Sequence, residues 1–113
     1  MSAITTHVLD TALGEPAGGV PVLLERLPED AAPYVVGRGI TDEDGRLRDL
    51  LPPGALKAGL YRLTFDTGAY LAAQELEYFF PQVSVVFRVD DVHRQYHVPL
   101  LLSPYGYATY RGS

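Results

Sequence analysis

The 113-residue chain has no cysteine, no tryptophan and a single methionine. Without cysteine there is no disulfide to staple the fold, no thiolate nucleophile and no sulfur ligand for a soft metal. Cations are scarce as well: nine Lys and Arg stand against fourteen Asp and Glu, for a net charge of −5 at pH 7. A nucleic-acid interface is built from clustered Lys and Arg, so no nucleic-acid partner is expected. Long apolar runs are also missing. Stretches such as Val98–Leu102 fall far short of the roughly 20 residues that span a bilayer, so no membrane partner is expected either. The first ten residues, MSAITTHVLD, carry neither a charged leader nor an apolar signal core. The expectation is a cytoplasmic protein.

What is present is an ordinary soluble composition cut at short intervals by eleven glycines and nine prolines. The length fits one domain over residues 1–113, large enough for a single core. Between the breaks lie short runs rich in Val, Leu, Tyr, Phe and Thr. Ile4–Thr11, Val20–Leu27, Tyr34–Thr41, Leu60–Asp66, Ser84–Val89, Tyr96–Leu102 and Tyr105–Tyr110 all read as strands. GEPAGG (14–19) reads as a turn. DEDG (42–45) reads as a hairpin turn, because Asp-Gly suits a position needing positive φ, with Arg46–Leu51 as its short return strand. About eight strands at this spacing predict an all-β sandwich or barrel. TGAYLAAQELE (67–77) breaks the pattern: it is rich in Ala, Leu, Glu and Gln, and Tyr70, Ala73, Gln74 and Glu77 share a helical face.

The candidate residues decide little singly. His7, in TTHVLD, shares a strand face with Thr5 and Leu9, and alone it is simplest as a structural histidine. His97, in YHVPLLL, sits two residues before Pro99. Proline cannot donate to a ladder, which predicts an edge strand or a bulge there. His93 and His97 are four apart, a metal spacing on a helix, but on a strand they lie roughly 13 Å apart. His93 is therefore placed in a loop and no metal site is expected. Asp42, Asp44 and Gly45 imitate a fragment of a calcium loop, but the remaining oxygen ligands are missing and a turn is the simpler account. Arg46 and Arg48 are by default solvated arms of that hairpin. Ser103 in LLSPYG lacks a nucleophile-elbow frame and reads as a turn residue.

Together these segments resemble the transthyretin-related family and, within it, the 5-hydroxyisourate hydrolases. The resemblance runs nearly end to end. It is carried by ITTHVLDTALGEPAGGVPVLLERL, TDEDGR, GLYRLTFDTGAY and HVPLLLSPYGYATYRGS. The closing YRGS is the most specific piece, since hormone-carrying transthyretins continue differently. The resemblance implies a transthyretin-like β-sandwich of two four-stranded sheets with one short helix. It implies a homotetramer with active sites at the dimer–dimer interface. It places the functional positions on His7, Arg46, His97 and Ser113 as catalytic groups, with Tyr110, Arg111 and Gly112 as substrate-binding groups.

The reaction so implied is hydrolysis of 5-hydroxyisourate, with no cofactor. Water would be activated by His7 or His97, whose unperturbed pKa of about 6.5 suits a general base, and the roles of the two stay open. Arg46 would stabilise oxyanion charge. Arg111 would do likewise or neutralise a carboxylate. Ser113 would orient water through its hydroxyl, with a chain-terminal carboxylate on the same residue. The rival expectations are a non-catalytic carrier on the same fold and, behind it, an interaction module.

Overall fold

ITTHVLD alternates as a half-buried strand should. Ile4, Thr6, Val8 and Asp10 are buried, while Thr5, His7 and Leu9 face outward. The same pleat recurs along the chain of this computed structural model, which describes residues 2–113. The elements are β1 (Ile4–Asp10), β2 (Glu15–Pro16), β3 (Pro21–Leu27), β4 (Tyr34–Ile40), β5 (Arg46–Leu47), β6 (Gly59–Phe65), α1 (Thr67–Ala72), β7 (Val83–Val89), β8 (Tyr96–Ser103) and β9 (Gly106–Thr109). They form two sheets. One runs β2-β1-β8-β9, with β5 also paired to β1; the other runs β4-β3-β6-β7. The mostly-β, two-sheet architecture matches the expectation. The first sheet has five strands rather than four because two-residue strands, β2 and β5, both add to β1.

The core lies between the sheets. Ile4 and Val8 of β1 and Leu100 and Leu102 of β8 meet Leu24 of β3 and Leu63 and Phe65 of β6, all essentially without solvent exposure. Burying each such side chain is worth roughly 1.5–3 kcal/mol. That apolar face fixes the register, because a slip of one residue would turn every one of them outward.

Three local expectations are corrected. First, DEDG does not return a strand to β4. The strand after it is only Arg46–Leu47, and it pairs with β1, so the turn carries the chain from one sheet to the other. Gly45 makes this possible. Its φ is +76°, a Cβ there would meet the Val8 carbonyl at 2.3 Å, and its own carbonyl accepts from Val8 N–H at 2.7 Å. Second, the helix stops at Ala72. The Gln74 and Glu75 N–H groups bond carbonyls three residues back, and Glu75 takes a left-handed φ of 58°. The Asp66 carboxylate caps its start by accepting from Ala69 N–H at 3.1 Å. The Tyr70 hydroxyl ties the helix to β1 by donating to Asp10 at 2.7 Å. Burial, with that carboxylate beside it, pushes the phenol up to about 12.

Third, β8 is not an edge strand: it lies between β1 and β9. Its odd-numbered backbone groups face β9, where His97 C=O accepts from Gly112 N–H at 2.8 Å and Pro99 C=O accepts from Thr109 Oγ1 at 2.7 Å. The pairs Leu100↔Thr109 and His97↔Gly112 share one register, yet no ladder forms between them. The gap falls where Pro99 has no N–H to offer Tyr110. The proline thus breaks one side of an interior strand and lets the last residues lift away from it. Among the described residues no helix is long and apolar enough to cross a membrane.

Candidate active site

β1 and β8 run parallel, and their register sets Thr5 beside His97 and His7 beside Pro99. Thr5 Oγ1 and His97 Nδ1 are 2.8 Å apart. On the opposite flank, Gly112 donates its N–H to the His97 carbonyl, and a Cβ on Gly112 would lie 2.5 Å from His97 Cδ2. Only glycine lets the backbone come so close to the ring. The imidazole is therefore held along two edges by residues from opposite ends of the sequence.

β5 brings in the cations. Arg46 pairs with His7 across β1, on the outer face that carries His97. The turn preceding it is fixed by Asp42, whose carboxylate accepts from Asp44 N–H at 2.9 Å and Arg46 N–H at 3.0 Å. The bond from Arg46 N–H is the chief reason that this carboxyl titrates below its ordinary range. The same turn holds His7, whose Nε2 is 2.7 Å from the Asp44 carbonyl oxygen. A carbonyl only accepts, so Nε2 carries the proton and only Nδ1 is left for proton chemistry.

Thr5, Thr6, Arg46, Arg48, Gln95, His97 and Ser113 line a cavity of about 190 Å³. Partial burial lowers the His97 pKa, the positive charge of Arg46 and the nearby His7 lower it further, and hydrogen bonding to the Thr5 backbone opposes them. The imidazole is thereby held neutral, with a lone pair, at pH 7.

Of the seven expected site residues, the structure gathers Arg46, His97 and Ser113 around this cavity. Gly112 supports its wall and His7 stands beside Arg46. Tyr110 and Arg111 lie elsewhere. With Val85, Phe87 and Tyr96 they line a more apolar cavity of about 260 Å³ that also touches His97. The Arg111 guanidinium sits 4.6 Å from the centre of the Tyr96 ring. That ring is anchored in turn by its hydroxyl, which donates to Asp90 at 2.9 Å and is the main reason that this carboxyl titrates low. The lapse in pairing at Pro99 accounts for the separation: residues 110 and 111 leave the ladder before Gly112 rejoins it. His93 lies in an exposed turn between β7 and β8. Among the described residues no three His, Cys, Asp or Glu side chains gather as a metal site would need.

Two lining residues carry more than their sequence suggested. Thr5 shares a strand face with His7, a signal visible in the sequence, but its bond to His97 requires the β1–β8 register. Arg48 is exposed, as a solvated hairpin arm should be, and also lines the cavity with Arg46.

Comparison with known proteins identifies the family and the fold. The model of the HIUase/Transthyretin family matches residues 4–112. A mouse protein named 5-hydroxyisourate hydrolase is 47% identical over 113 residues, spanning 99% of this chain and 96% of its own. The solved 5-hydroxyisourate hydrolase of Klebsiella pneumoniae superposes with a TM-score of 0.83 at 36% identity, over 97% of this chain and 98% of that one. Sea bream transthyretin in complex with thyroxine superposes with a TM-score of 0.92 at 33% identity, over 97% of this chain and 94% of that one. The backbone thus fits an enzyme and a carrier alike, and the side chains of the site must separate them.

Proposed function

The chain belongs to the HIUase/transthyretin family, and from that premise we propose that it hydrolyses 5-hydroxyisourate to 2-oxo-4-hydroxy-4-carboxy-5-ureidoimidazoline, a step of urate degradation. One observation carries the reading. An imidazole, His97, is gripped by Thr5 and Gly112 in the lining of a small polar cavity that also holds Arg46, and burial with that positive charge lowers its pKa.

In the mechanism, His97 takes a proton from water as the oxygen attacks the ring carbonyl. Arg46 donates to the oxyanion that forms, with Arg48 on the same cavity wall. The C–N bond then breaks. The ring nitrogen takes the proton from His97, and the carbonyl carbon, still part of the opened product, becomes a carboxylic acid that gives its remaining proton to solvent or to His7 and ends as a carboxylate. Ser113 orients the water or a ring oxygen. His7, its Nε2–H committed to the Asp44 carbonyl, serves as the second proton carrier through Nδ1. A general base of this kind is worth about 10²–10⁴ in rate, or roughly 3–5 kcal/mol of barrier.

The assembly belongs to the proposal. The cavity of about 190 Å³ is smaller than the roughly 300–1,000 Å³ usual for ligand pockets, and it opens on the outer sheet face. A homotetramer, with sites at the dimer–dimer interface, would supply the missing walls. Tyr110 and Arg111 enter as wall residues of that assembled channel.

The likeness to sea bream transthyretin favours one alternative, a small-ligand carrier. The discriminating experiment follows the absorbance of freshly generated 5-hydroxyisourate with and without purified protein. Decay is expected to accelerate in proportion to protein. Decay at the spontaneous rate would sink the hydrolase reading and leave the carrier.

A further inference from the structure

We propose that Thr5 is a positioning residue for this reaction: its hydroxyl accepts the Nδ1 proton of His97 and so leaves Nε2 as the basic nitrogen. The 2.8 Å contact between Thr5 Oγ1 and His97 Nδ1 permits either partner to donate. The rest of the cavity breaks the tie. Its lining contains two guanidiniums, Arg46 and Arg48, and no Asp or Glu side chain. Guanidiniums donate and never accept. A ring N–H directed toward these two cations would face like-signed charge, whereas a lone pair there is electrostatically favoured. The proton therefore belongs on the far nitrogen, where a hydroxyl oxygen can take it.

Sterics point the same way. Gly112 lies along the other edge of the ring, where a Cβ would come within 2.5 Å of Cδ2, the carbon bonded to Nε2, so only glycine leaves the ring this seat beside Thr5. His7 offers a parallel on the same face, with one nitrogen committed to a main-chain oxygen. A hydroxyl does for His97 what a carbonyl does for His7, namely fix the tautomer and the ring plane while adding no negative charge. That neutrality matters. A carboxylate at this position would raise the imidazole pKa, and Thr5 orients the base while leaving it unprotonated at pH 7.

The kinetic arm of the test rests on the hydrolase reading; the spectroscopic arm does not. ¹⁵N NMR of the labelled wild-type protein above the His97 titration is expected to show Nδ1 protonated and Nε2 bare. Thr5→Val keeps the shape and removes the oxygen. It is expected to mix the tautomers and to lower kcat about tenfold or more, with KM within about twofold. Thr5→Ser restores the oxygen and is expected to recover both the spectrum and kcat to within about threefold. A wild-type His97 protonated on Nε2 overturns the proposal, even where Thr5→Val fails to fold. A folded Thr5→Val protein with wild-type tautomer and kcat overturns it too. If the wild type leaves the ring unopened, the hydrolase reading fails, and the NMR result alone still decides the role of Thr5.

Discussion

The two sheets turn outer faces of opposite character to solvent. On the β3–β6–β7 face two pairs of polar side chains satisfy one another. Arg62 Nε donates to Glu25 at 3.0 Å, and the Thr64 and Ser84 hydroxyls pair at 3.1 Å. On the β1–β5–β8 face each imidazole uses one nitrogen in a bond to the protein, and Arg46 and Arg48 converge on a cavity without an Asp or Glu side chain in its lining. Among the described residues the ion pair found is Arg62–Glu25, on the first of these faces. Polar groups paired with each other in this way are structure. A half-paired cluster around a concavity is available for chemistry.

The contrast can be broken from its strongest side first. His97→Asn removes the base but keeps a polar side chain, and kcat is expected to fall by about 10²–10⁴ with the fold intact by circular dichroism. A loss below about tenfold would contradict a general-base role.

Arg46→Gln is expected to cost about 10² in kcat by weakening oxyanion stabilisation. It also has a pH signature. The neutral imidazole is the active form, so kcat/KM falls as pH drops through the His97 pKa, which lies below its ordinary value of about 6.5. The charged groups near that ring are Arg46 and Arg48 beyond the β1 edge and His7 on β1. Removing Arg46 raises the pKa and moves the acidic limb upward. The move stops short of the ordinary value, because burial is the larger cause of the depression. A limb that stays in place, or moves to lower pH, would contradict the assignment of the limb to His97.

The smallest effect is expected on the other face. Arg62→Met breaks its partly buried ion pair with Glu25, and activity is expected to stay within about twofold, because neither residue lines the His97 cavity. A large loss of kcat in a folded protein would erase the distinction between the faces.

The fold was legible where it depends on local chemistry. Period-two apolar runs placed the main strands within a residue or two, since a pleated strand must bury alternate side chains. The sequence reading failed where distant backbone decides. Nothing in TDEDGRLRDL shows that Arg46–Leu47 crosses to β1, because that choice is made by the close seat of Gly45 on Val8. Pro99 argued for an edge, and β8 is interior because the missing donor falls on the side where the chain lifts away. Among the site residues, His7, Arg46 and His97 stood out by residue type and by family resemblance. Thr5 did not, since a threonine on a strand is ordinary until a partner 92 positions away is set beside it. Arg111 carried an expectation that one chain does not meet, as its guanidinium lies on the Tyr96 ring instead.

The most direct test is a crystal structure with a hydrolysis-resistant purine analogue bound. The heterocycle is expected in the polar cavity, within hydrogen-bond distance of His97 and Arg46, with a neighbouring subunit closing the open side. Density for the analogue in the apolar cavity between Phe87 and Tyr110, with the His97–Arg46 cavity empty, would contradict the account.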